Sequence, residues 1–79
     1  MKIIKWYELS RCPSRREIEI WMLENVGLGG PWLKDNYPNP NGQPIPEEND
    51  EWGCWLDRGE LCYGIINEQK AMLFILRWV

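Results

Sequence analysis

Residues 61–79 read LCYGIINEQKAMLFILRWV, and the way this stretch folds decides the architecture of the chain. Two apolar runs, 61–66 and 71–78, flank the polar tetrapeptide Asn67-Glu68-Gln69-Lys70. Each run is short for a helix and rich in strand-favouring residues, which predicts an antiparallel hairpin with the tetrapeptide as its loop. In that register Leu61, Tyr63, Ile65, Met72, Phe74, Leu76 and Trp78 share one face. Cys62, Ile66, Leu73, Ile75 and Val79 share the other, interrupted by Arg77. A strand pair apolar on both faces needs cover on both. The rest of the chain is read as supplying it.

Working outward, residues 51–57 (EWGCWLD) read as a strand, and Asp57-Arg58-Gly59 suits a three-residue hairpin loop with Gly59 left-handed. That register sets Cys54 opposite Cys62 and makes residues 51–79 a three-stranded meander. At the other end, residues 2–9 (KIIKWYEL) alternate well enough for a first strand, expected at the sheet edge beside the last one. Pro13 disfavours helical geometry at Cys12. Ser14-Arg15-Arg16-Glu17 then has capping-box spacing, which predicts a helix over 14–26 ended by a glycine cap at Gly27. Its stripe of Ile18, Trp21 and Met22 should face the sheet.

Residues 28–50, LGGPWLKDNYPNPNGQPIPEEND, hold five prolines and three glycines, so neither helix nor sheet can run far there. The expectation is an irregular loop. The whole reads as α+β: one small domain over 1–79, ordered β-α-loop-β-β-β, with an antiparallel sheet packed on one helix.

Seventy-nine residues bury a smaller share of their surface than a larger domain would. Six Trp, three Tyr and one Phe offset this, because large rings bring much buried area per residue. Nine basic against twelve acidic residues, net −3 with a pI near 4.9, argue against a nucleic-acid partner. Glu8 interrupts the N-terminal apolar run before a signal sequence could form, and no run is long enough to span a membrane. Three cysteines without a signal sequence point to a reducing, cytoplasmic setting.

Histidine is absent and no CxxC pair exists, so no metal site, cofactor or catalytic residue is expected. Gly27-Leu28-Gly29-Gly30 follows a helix rather than preceding one, unlike a phosphate loop. The acidic residues Glu47, Glu48, Asp50 and Glu51 could serve glycoside chemistry only over a deep site. They suit the rim of a docking surface better.

The functional expectation is therefore a non-catalytic protein–protein interaction module, a small inhibitor or modulator that blocks a larger protein sterically. Phage and mobile-element proteins of this size and composition offer the analogy. Trp32, Leu33 and Tyr37 would anchor it, and the acidic rim, with Trp52 beside it on the partner surface, would steer it to a basic surface. The plainer alternative has the same rings completing the core. A small-ligand or carbohydrate-binding module using loop Trp and Tyr, and a homodimeric structural protein, are the competing functional classes.

Overall fold

Asn67 is where the chain departs from the expected hairpin. In the computed structural model, which describes residues 1–10, 13–32, 44 and 46–79, Asn67 is a helix N-cap. Its Oδ1 accepts from the backbone N–H of Gln69 at 2.9 Å and of Lys70 at 3.1 Å. Helix α1 spans Arg15–Asn25, and the chain closes with a second helix, α2, over Glu68–Trp78. The predicted third meander strand is thus corrected to a helix. Glu68 lies at the positive end of α2 and Arg77 at the negative end, both favourable to the helix dipole. Ala71, Phe74, Ile75 and Trp78 fall at i, i+3, i+4 and i+7, and this stripe turns inward.

The sheet has four strands: β1 (Lys2–Lys5), β2 (Gly29–Pro31), β3 (Trp52–Asp57) and β4 (Glu60–Ile65), in the order β1-β4-β3-β2. β1 does occupy the edge beside the last strand, now β4, but it is half the expected length. Glu8 ends it: its carboxylate accepts the Lys5 N–H at 2.7 Å, and Trp6–Glu8 turn into a 3₁₀ segment. β2 comes from the stretch expected to be irregular and pairs parallel to β3, so the sheet is mixed rather than antiparallel throughout. The class, α+β, is as read from sequence.

One residue of loop length separates the predicted β3–β4 register from the real one. Arg58 and Gly59, at φ 54° and 83°, form a two-residue turn closed by the Asp57–Glu60 pair. Both central residues are left-handed, as such tight hairpins require. Cys54 therefore faces Tyr63, and Trp55 faces Cys62. A one-residue shift sends a side chain to the opposite face. Cys54 and Cys62 end up on different sides of the sheet, a geometry that excludes a disulfide between them.

Helix α1 begins as predicted, with the Ser14 hydroxyl accepting the Glu17 N–H at 3.1 Å. Ile18, Met22 and Val26 are buried against the sheet. Trp21 instead turns sideways, its ring meeting Phe74 and Trp78 edge-on at 5.9 and 6.3 Å. The two helices thus share one sheet face, with Ile4, Trp52, Cys54, Tyr63 and Ile65 beneath them.

The opposite sheet face carries a second, smaller core of Trp32, Trp55 and Cys62, with Ile3 packed against it. Trp32 and Trp55 stack at 5.8 Å and 9°. Gly53 and Gly64, paired across β3 and β4, make this possible. A Cβ at Gly53 would collide with the Trp32 ring, and one at Gly64 would come within 2.9 Å of Trp55. The indoles lie flat because the sheet beneath them is bare.

Candidate interaction surface

Of the aromatic residues expected at a partner surface, the two that are described, Trp32 and Trp52, are used inside the chain. Trp32 is 2 % exposed, and its Nε1 donates to Asp50 at 2.9 Å. Trp52 is equally buried and donates to the Gly27 carbonyl at 2.8 Å. Glu51 pairs with Lys70 at 3.2 Å, and the same Lys70 ammonium donates to the Val26 carbonyl at 2.8 Å. This joint ties the end of α1, the start of β3 and the first turn of α2 together. It also satisfies a carbonyl that the helix end leaves open. Of the predicted rim, Glu47 and Glu48 are exposed and Asp50 is half-buried. Leu33 and Tyr37 lie outside the described residues.

None of the six indoles is exposed: Trp32, Trp52, Trp55 and Trp78 are buried, and Trp6 and Trp21 half-buried. The indoles are taken up by two cores, one on each sheet face. Apart from Tyr7, the large apolar side chains exposed among the described residues are aliphatic. Met72, Leu73, Leu76 and Val79 are all exposed, Leu76 to 79 %, and Ile66 just before the cap of α2 adds to them. By helical geometry they cover the side of α2 opposite Ala71, Phe74 and Trp78. Sequence reasoning missed these residues, although Gln69, Met72, Leu76 and Val79 follow the three–four spacing of a helix-packing seam. No charge falls on that seam.

A concavity of about 410 Å³ opens at the hairpin end of the sheet, beside the first residue of α1. Trp6, Leu56 and Leu61 give it apolar walls, with Arg15 and Glu60 at its margin. The Arg15 guanidinium also approaches the Glu19 carboxylate at 3.9 Å and the Cys54 sulfur at 4.0 Å. Burial pushes the Cys54 thiol up from its ordinary range despite that cation, so this sulfur is held protonated and unreactive. Burial, then the neighbouring Cys54, pushes the Tyr63 phenol up to about 12. Among the described residues, neither its buried hydroxyl nor the buried Trp78 Nε1 has a hydrogen-bond partner.

Among the described residues, no three His, Cys, Asp or Glu side chains gather into a metal site. No described helix is long and apolar enough to cross a membrane. The chain matches no protein-family model, no curated protein and no solved structure.

Proposed function

We propose that this chain acts without catalysis, as a protein–protein interaction module that docks through the outward face of α2. The observation that carries the reading is a helix whose apolar residues reach beyond its buried stripe, leaving Met72, Leu73 and Leu76 uncovered. A grouped set of exposed apolar side chains is the usual mark of a binding surface. Leu76, at 79 % exposure in the last turn of α2, is the natural anchor. The exposed Glu47 and Glu48 lie in a separate turn, suited to steering the chain toward a basic partner. Such docking acts sterically, by occupying a surface, which is how a small inhibitor or modulator works.

The test is partner capture by the wild-type chain against Leu76→Glu, with Leu28→Glu as a control at an equally exposed position away from α2. Capture should be lost only in Leu76→Glu, with the melting temperatures of all three alike. Capture indifferent to Leu76 would falsify the assignment.

The hairpin-end concavity favours a second reading, a ligand-binding module. Its size lies within the range of small-molecule sites, and a guanidinium beside apolar walls suits a ring bearing a carboxylate. Saturable quenching of Trp fluorescence by aromatic carboxylates, abolished in Arg15→Gln, is the expected sign. A flat titration removes it.

A further inference from the structure

Resting on the interaction reading, we infer that the occupant of the α2 face is a second copy of this chain, joined by antiparallel packing of two α2 helices about a two-fold axis. Four observations carry the inference. The first is spacing: Gln69, Met72, Leu76 and Val79 repeat as a helix-packing seam does, so the complementary surface is another helix.

The second is charge. The chain is net −3, so two copies repel over most of their surfaces. The α2 seam is neutral, and Arg77 is drawn aside, its guanidinium lying 4.2 Å from the centre of the Trp78 ring. Antiparallel packing also sets opposite helix ends side by side, where their dipoles attract.

The third is area. The exposed aliphatics of and beside α2 amount to roughly 400–500 Å² per chain, at the upper end of what a monomer leaves uncovered; doubled across a two-fold axis they approach the about 1,000 Å² of a specific interface. The fourth is the state of the sheet edges. β1 presents Lys2 and Lys5, and β2 is three residues long and ends in Pro31, which has no N–H to give. Both are devices that discourage edge-to-edge pairing. Self-association through the sheet is thus disfavoured, and the helix face is left for it. An anionic membrane surface fits less well, because the chain is net −3 and, of the two cations on α2, Lys70 is already held by Glu51 and the Val26 carbonyl.

Sedimentation equilibrium of the purified chain across a wide concentration range tests this. The mass should rise from the monomer value of 9.5 kDa toward twice that value. Leu76→Glu should weaken dimerisation at least about tenfold, as expected for loss of a central interface anchor. Met72→Gln should act in the same direction by a gentler route, and Leu28→Glu should change nothing. Circular dichroism confirms that each variant is folded. A wild-type chain that stays monomeric throughout overturns the inference. So does a dimer that survives both Leu76→Glu and Met72→Gln. A monomeric wild type whose capture of another protein is still lost in Leu76→Glu would sink self-pairing alone and leave the interaction reading standing.

Discussion

Tyr63 shows how much one buried hydroxyl can report. Its ring is fully enclosed, meeting Trp6 at 6.4 Å and Phe74 at 5.9 Å between centroids, yet its oxygen has no hydrogen-bond partner among the described residues. Burial, then the nearby Cys54, raises its pKa from 10.0 to about 12, with Arg15 opposing. An unfolded chain loses this proton near 10, a folded one only near 12. Stability from Tyr63 is therefore intact below pH 10 and is lost as the pH climbs toward 12. Cys54, raised from 9.0, adds a loss of the same sign that begins earlier. Tyr63→Phe should leave the melting temperature at neutral pH unchanged or slightly higher, because it deletes an unsatisfied polar atom. Above pH 10 the variant should outlast the wild type. Thermal melts at both pH values check this, and a clear loss at neutral pH would reveal a partner for the hydroxyl.

At the scale of the element, α2 has two apolar faces with different roles. Phe74 is 0 % exposed and meets Trp21 and Tyr63, whereas Leu76, two residues on, is 79 % exposed. Phe74→Ala should cost about 3–5 kcal/mol, the range for emptying a buried aromatic site. Leu76→Ser, measured in dilute solution, should stay within about 0.5 kcal/mol of wild type, as surface substitutions do. Urea titrations of both variants separate a helix from a strand here. In the expected hairpin, positions 74 and 76 shared a face, so the two changes would have cost similar amounts.

The same pair of faces explains why the last element was misread. A helix announces itself by apolar residues every three or four positions, with polar ones between. In residues 71–78 the intervening positions are Met72, Leu73, Leu76 and Arg77, three of them apolar, so the period is largely filled in and a short apolar run remains. Asn67 before Glu68 was the local signal that pointed the other way. The first helix had no such ambiguity: Ser14, Glu17 and the buried Ile18 and Met22 sit where their spacing put them.

For the molecule as a whole, a sheet cored on both faces leaves no indole over for a partner. If α2 pairs with α2, folding and association are linked, and apparent stability depends on concentration. The melting temperature of the wild type should therefore rise with protein concentration, and that of Leu76→Glu should not. Differential scanning calorimetry at two well-separated concentrations reads this directly. Equal melting temperatures would mean that the helix face does not associate with itself.

The sequence by itself determined the α+β class, the first helix with its Ser14 cap, the first strand and its edge place, and the positive φ at Gly59. These follow from local chemistry: a hydroxyl three residues before an amide, a β-rich run, a glycine in a turn. Tertiary structure decided which way residues 68–78 would fold, because an apolar stretch of that length is stable in either form until the neighbouring surface chooses. Trp21 and the helix-facing side of the sheet accept a stripe at 71, 74, 75 and 78, and only a helix supplies one. It also decided the standing of Trp32 and Trp52, whose burial rests on the bare backbone of Gly53 and Gly29 respectively and on acceptors 18 and 25 residues away in the chain. Composition counts rings, but only packing says which of them remain outside.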